Sequence, residues 1–143
     1  MKNILTTSAF PFLLFRLAAG LIFLSEGIQK FTRPDEVGAG RFLKIGFTNP
    51  DFWAHFTGCF EIACSVLIII GLITRIAALP LLAIMVTAFI TTKIPILHTK
   101  GFWAFAHEYR TDFAMTLILI ALLIFGSGRS SLDFNITNHK TSL

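Results

Sequence analysis

Four apolar segments, each near 20 residues long and joined by short polar connections, fill most of this 143-residue chain. A helix needs roughly 20 apolar residues to cross a bilayer. The segments are apolar around their whole circumference instead of along one stripe, which is typical of helices surrounded by lipid. The pattern predicts an all-α polytopic membrane protein, a four-transmembrane-helix bundle that forms one domain over residues 1–143. The predicted crossings cover residues 10–30, 52–73, 76–94 and 105–126.

Composition agrees with lipid as the surrounding medium. Charged residues make up 14% of the chain and hydrophobic residues 55%, whereas soluble domains carry about 25% charged residues. Too little polar surface is present for the chain to cover itself in water. The net charge of +4 is scattered and forms no clustered basic face, so nucleic acid is not a predicted partner. The predicted partner is the lipid bilayer.

The charged residues within the apolar segments are the second informative feature. An ionisable side chain in hydrocarbon costs about 2.5 to 3.5 kcal/mol, so each one needs a partner or a function. When the four helices are followed through the bilayer, most of these charges gather at one end, and Arg16 alone starts near the opposite face. The predicted intramembrane polar cluster consists of Arg16, Glu26, Lys30, His55, Glu61, Lys93, Glu108 and Asp112.

Helical periodicity orients part of this cluster. Arg16 and Lys30 fall on one face of the first helix together with Gly20 and Gly27, which would let another backbone come close. On the second helix, Glu61 belongs to a polar stripe that we predict faces the first helix. The stripe consists of Thr57, Glu61 and Ser65.

Two interpretations of the cluster remain open. In the first, ion pairs lock helix to helix, with Arg16 and Glu61 forming a buried bridge. In the second, the charges line a polar pocket between the helices that opens toward the two longer connections. The second is favoured slightly, because packing alone would not require nearly all charges to collect at one end.

Cofactor sites that can be read from sequence are weakly represented. A haem b between His55 and either His98 or His107 would need facing positions that sequence does not establish, so haem is disfavoured. A zinc site from His98, His107, Glu108 and Asp112 lacks a recognised spacing, and no metal site is predicted. No C-x-x-C pair, phosphate-binding glycine loop or dinucleotide fingerprint is present. No catalytic residue is assigned.

Several short motifs, in order along nearly the whole chain, resemble the DoxX family of small four-helix membrane proteins. They are residues 16–20, residues 27–30, Glu61, residues 71–75, Gly101 with Phe102, Glu108, and the closing stretch 126–133. The resemblance implies a multi-pass protein of the bacterial cytoplasmic (inner) membrane with both termini in the cytoplasm. It also implies an association with membrane redox systems, since some relatives belong to thiosulfate to quinone oxidoreductases or to complexes that handle sulfur or superoxide stress.

The leading functional prediction is a redox-associated subunit or accessory that binds a quinone-like or other small polar ligand. Arg16 and Lys30 would hold an anionic or carbonyl oxygen, and Glu61 would orient them or pass a proton. Quinone is the candidate cofactor, and a redox or other membrane protein is the candidate partner. Two alternatives remain: a small-molecule transporter, which would require a homo-oligomer because four helices are few for alternating access, and a membrane-protein assembly factor.

Overall fold

A computed structural model describes residues 9–128 and 131–132, and every regular element in that part of the chain is helical. The all-α prediction is therefore confirmed there. The predicted closing motif continues through residues 129, 130 and 133, which lie outside the described residues. The elements are α1 (Ala9–Thr32), α2 (Ala39–Lys44), α3 (Pro50–Ile70), α4 (Thr74–Ala88), a π-helical turn (Phe89–Lys93), α5 (Ile94–Lys100) and α6 (Phe102–Phe125).

Glycine and proline set the helix ends. α3 starts at Pro50, whose missing amide hydrogen is not needed in a first turn. It ends at Gly71, which adopts a left-handed conformation (φ +73°) and donates its amide hydrogen to the carbonyl of Ile68. Glycine adopts this conformation without the steric penalty that a Cβ imposes. The chain therefore reverses within three residues, and α4 begins at Thr74.

The helix that contains the third predicted crossing extends past residue 94. The helix runs on through the π-helical turn and α5, so the apolar helical stretch extends over Thr74–Lys100. Pro95 is the second residue of α5, and it cannot donate the amide hydrogen bond that a continuing helix would use at this position. The π-helical turn directly before it resets the hydrogen-bonding register.

Three helices are long and apolar enough to cross a membrane: Phe10–Thr32, Pro50–Ile70 and Thr74–Lys100. Three of the four predicted crossings therefore correspond to helices that could span a membrane. α6 is also 24 residues long, but Glu108, Arg110 and Asp112 lie within its first half. Its charge-free part spans residues 113–125, shorter than the roughly 20 residues that a full crossing uses.

The helices pack as two pairs, α1 against α3 and α4 against α6, with α3 also contacting α4. Their shared hydrophobic core lies in the half of the bundle that contains the Gly71 turn. It is built from Ala19, Phe23, Cys64, Ile68, Ala77, Ala78, Leu81, Met115, Leu119 and Leu122. The other half of the bundle holds the ionisable groups, and α2 packs there against α3.

Candidate functional site

A buried ion pair joins α1 to α3. The Lys30 ammonium donates a hydrogen bond to Glu61 Oε2 at 2.5 Å, and both side chains are almost fully enclosed. Glycines make this approach possible, because a Cβ built on Gly27 would lie 3.0 Å from the carbonyl oxygen of Gly58. The prediction that the polar stripe of the second helix faces the first is confirmed by this contact.

A second ion pair joins the π-helical turn to α6. Lys93 Nζ lies 3.2 Å from Asp112 Oδ2 and donates a hydrogen bond to the carbonyl oxygen of Glu108 at 2.9 Å. Lys93 is buried, whereas Asp112 is about one-quarter exposed. A π-helical turn contains an extra residue, so it rotates the side chains that follow it relative to an uninterrupted α-helix. Its last residue is the lysine that reaches α6.

A cavity of about 590 Å³ lies between these two ion pairs, with walls from α1, α2, α3, α4 and α6 and from the π-helical turn. This volume falls in the range of small-molecule sites in proteins. Most of the wall is apolar, and ionisable side chains occupy one end of it. The charged residues on the wall are Glu26, Lys30, Arg41, Glu61 and Asp112.

Aromatic rings form one side of the cavity. Trp53 contacts Phe47 and Phe56, with ring centroids 5.9 Å apart in each case, and Phe56 lies 4.9 Å from Phe60. All four rings line the cavity. They join the connection after α2 to the middle of α3, so a bound molecule would meet a continuous aromatic surface there.

A family model described as DoxX matches residues 12–94, more than half of the chain. The chain is also similar to a protein of Mycobacterium tuberculosis described as an uncharacterized membrane protein, with 48% identity over 133 residues. That alignment covers 89% of this chain and 82% of the relative. The chain belongs to the DoxX family. No solved structure matches it.

The DoxX match ends at Ile94 and so includes α1 to α4 and the π-helical turn, but not α6. It therefore covers four of the charged groups on the cavity wall, and Asp112 lies beyond it. The family assignment confirms the resemblance read from the sequence and identifies a membrane protein.

Arg16 neither lines the cavity, as the favoured interpretation expected, nor bridges to Glu61, as the other interpretation did. Its guanidinium donates hydrogen bonds to the carbonyl oxygens of Ile68 at 2.9 Å, Ile69 at 2.6 Å and Ser127 at 3.3 Å. Arg16 and Glu61 lie at different levels along the bundle. Lys30, the partner of Glu61, is fourteen residues from Arg16, which is about 21 Å along a helix. Arg16 therefore meets the end of α3, whose last carbonyls lack helical partners.

Three further predicted members of the cluster do not line the cavity. His55 is exposed, with Nδ1 2.6 Å from the carbonyl oxygen of Asp51 and its ring 5.2 Å from that of Phe31. The Glu108 side chain is exposed, and only its backbone carbonyl contacts Lys93. Lys93 itself stands behind Asp112 and is not part of the wall. The structure thus brings Glu26, Lys30, Glu61 and Asp112 together around the cavity.

The histidines considered for haem or zinc are all exposed. His98 lies near the end of α5, and His107 lies in α6. Within residues 9–128 and 131–132, no group of three His, Cys, Asp or Glu side chains could share a metal ion.

Arg41 is a cavity residue that the predicted cluster did not include. It lies on α2, in the connection that the sequence marks as polar, and its side chain faces the same cavity as Glu26. Within the described part of the chain, neither of these two charged side chains has an ion-pair or hydrogen-bond partner. The signal available in the sequence was the amphipathic pattern of residues 37–47, which places Arg41 beside Phe42 and Phe47.

Proposed function

We propose that this DoxX family member binds an amphipathic, quinone-like molecule and serves as a subunit or accessory of membrane redox chemistry. The observation that carries the proposal is a single cavity of about 590 Å³ with two kinds of wall. One end presents charged donors and acceptors, and the remainder is aromatic and aliphatic. Sites for small molecules commonly have this composition, with a few polar groups fixing the orientation.

The residues fit a quinone-like head. Lys30 and Glu61 satisfy each other, as do Lys93 and Asp112. Arg41 is therefore the cation that would donate hydrogen bonds to a carbonyl oxygen of the bound molecule, and Glu26 is the carboxylate that would accept one from a hydroxyl. A quinone would supply reversible electron and proton uptake when bound. The protein would supply orientation through these two charges and exclusion of water through the aromatic surface.

Binding can be tested with decylubiquinone and protein in nanodiscs. We expect Arg41→Ala to weaken binding about tenfold, because a hydrogen bond to a charged group contributes about 1.5 to 3 kcal/mol. Lys44→Ala is the matched control, since Lys44 is a basic residue on the same short helix and does not line the cavity. Equal affinities for both variants would remove Arg41 from the site.

The apolar wall has its own test. Phe56→Ala should weaken decylubiquinone binding, because Phe56 is part of the aromatic surface that would contact the ring. Phe113→Ala is the control, since Phe113 is similarly exposed on α6 and lies outside the cavity. If the wild-type protein shows no saturable binding, and instead purifies with a stoichiometric protein partner, an assembly role replaces this proposal.

We also propose that α6 is a fourth crossing and that the protein lies in the bacterial cytoplasmic membrane with both termini inside. Residues 113–125 give about 20 Å of charge-free helix, and the buried side chains of α6 pack in the same core as those of α4. Fluorescent-protein fusions at the two ends of the chain test this. Both should fluoresce in the cytoplasm; fluorescence at one end alone would leave an odd number of crossings.

A further inference from the structure

We propose that the bound molecule reaches the cavity sideways from the bilayer, through a gap between α3 and α4. This inference rests on the proposed function, because it concerns how the same cavity is filled. It narrows the ligand to a class: a lipid-soluble molecule with a compact polar head and an apolar tail. The argument follows the two helices from the turn that joins them to the charged end.

Near the Gly71 turn, α3 and α4 are in close contact. Ile68 on α3 and Ala77 and Ala78 on α4 are all buried in the shared core. The small alanine side chains let the two backbones approach each other. No residue between Ile62 and Leu79 lines the cavity, so the interface is closed at this level.

Farther from the turn, the facing surfaces of the same two helices become the cavity wall. On α4, the wall begins at Pro80 and continues toward the π-helical turn; on α3, it ends at Glu61. The wall residues of α3 fall on the side of the helix that also carries Cys64 and Ile68. Near the Gly71 turn, this side packs toward α4. The two helices therefore contact at one end and are separated by the cavity at the other.

The edges of this gap are exposed. Phe56 and Phe60 on α3 are 46% and 41% exposed, and Ala83 and Thr87 on α4 are also exposed. All four line the cavity, and all four lie in helices long and apolar enough to cross the membrane. Residues that belong both to a cavity wall and to the outer surface of membrane-spanning helices mark an opening toward lipid.

The chemistry of the edges decides what can pass. None of the four edge residues is ionisable, whereas Lys30 and Glu61 are buried deeper in the wall. A small hydrated ion would lose its water at such an edge without any compensating charge. A molecule already dissolved in the bilayer has no such cost, and its tail can remain between Phe60 and Ala83 after its head reaches Arg41.

The charged end of the cavity is partly covered by α2 and the connection after it. Arg41, Phe42, Ile45 and Phe47 contribute walls from α2 and the connection after it, and all four are only partly exposed. Phe47 also contacts Trp53 on α3. A molecule arriving from water would have to pass these side chains, whereas one arriving from lipid would pass between the two helices whose facing residues line the cavity.

A kinetic experiment tests the route. The chain has two tryptophans, so Trp103→Phe leaves Trp53, on the cavity wall, as the only one. Decylubiquinone is then delivered from lipid vesicles to protein in proteoliposomes, and quenching of the Trp53 fluorescence reports its arrival. In this background, Ala83→Phe should slow quenching about tenfold, equivalent to a barrier about 1.4 kcal/mol higher. Phe60→Ala should accelerate it. Ala114→Phe, at an alanine of α6 that is also exposed and lies outside the cavity, is the matched control and should quench like the parent.

The outcomes separate the two proposals. If the parent, Ala83→Phe and Phe60→Ala all show saturable quenching at the same rate, the lateral route is overturned and the binding proposal stands. Ile22 lies at the α1 side of the cavity. If Ile22→Phe slows quenching and Ala83→Phe does not, the opening lies between α1 and α6, and the assignment to α3 and α4 is overturned. Equally fast quenching by a tail-less benzoquinone added from buffer indicates an aqueous route and overturns it as well. No saturable quenching in the parent, or filling by phospholipid that decylubiquinone cannot displace, overturns both proposals.

Discussion

The two ends of the bundle handle buried charge in different ways. At the Arg16 end, a guanidinium is enclosed by backbone carbonyl oxygens of α3 and of the chain after α6. At the cavity end, two lysines are neutralised by two carboxylates, and a third cation and a third carboxylate face an open space. Buried charge by itself therefore does not indicate a ligand site. The surroundings of the charge decide: the hydrogen bonds of Arg16 to carbonyl oxygens at a helix end indicate a structural role, whereas the proposed binding rests on charges that face a cavity.

The Arg16 end is also tightly packed around the glycine that ends α3. A Cβ built on Gly71 would lie 2.7 Å from Arg16 Cζ and 2.6 Å from Ser131 Cβ. Ser131 Oγ in turn donates to the carbonyl oxygen of Gly128 and accepts from Ser127 Oγ. The resemblance singled out these glycines and serines as motifs, and the structure shows that they meet in space around one arginine.

The largest expected effect is the loss of Arg16. Arg16→Met should lower the free energy of unfolding by about 4 kcal/mol, because each hydrogen bond to a charged donor contributes about 1.5 to 3 kcal/mol. Arg16→Lys should recover only part of this, since an ammonium lacks the planar fork that reaches three carbonyls. Thermal unfolding in detergent measures both. Decylubiquinone affinity per folded molecule should stay unchanged, and a fall in that affinity at full stability would contradict the structural role.

A smaller effect is expected at the ion pair of the cavity end. Lys30→Met should destabilise the protein by about 3 kcal/mol, because it leaves the Glu61 carboxylate buried without its cation. The double variant Lys30→Met with Glu61→Leu should return close to wild-type stability, since buried ion pairs are often replaceable by apolar residues of similar size. Decylubiquinone binding should be retained in the double variant, because Arg41 and Glu26 remain to contact the ligand. Loss of binding at restored stability would show that the Lys30–Glu61 pair itself contacts the ligand.

The smallest expected effect concerns Gly71. Gly71→Ala should cost about 2 kcal/mol, of which 1 to 2 kcal/mol is the penalty for a side chain in the left-handed region. The matched control is Gly46→Ala, which has a similar φ of +85° and no other atom within 4 Å of the added Cβ. Unfolding curves of the two variants then isolate the overlap with Arg16. Equal losses would mean that the packing around Arg16 adapts without cost.

Sequence reasoning located the helices better than the partners. Periodicity gives the face of a helix on which a residue lies, and so Glu61 was placed toward α1 correctly. It does not give depth with equal certainty, and so a bridge from Arg16 to Glu61 stayed open as one of two interpretations although Arg16 lies at the other end of the bundle. Backbone carbonyls at a helix end are acceptors that no residue letter reveals, which is why the true partners of Arg16 were not anticipated.

Pro95 and Arg41 illustrate the same limit in other parts of the chain. A proline ordinarily predicts a helix end, and only the π-helical turn before it explains why the helix continues to Lys100. Arg41 was assigned to a connection, and only the packing of α2 against α3 brings it to the cavity. Both outcomes depend on contacts between residues far apart in the chain.

The sequence by itself determined the medium, the helical architecture and the family, because hydropathy and ordered motifs are properties of the residues themselves. It also determined that opposite charges would have to be buried together, since lone charges in hydrocarbon are too costly. Tertiary structure alone decided which charges pair, which ones face a cavity, and where α3 and α4 separate. Those features follow from the depth and rotation of each helix relative to its neighbours, and a linear pattern fixes neither.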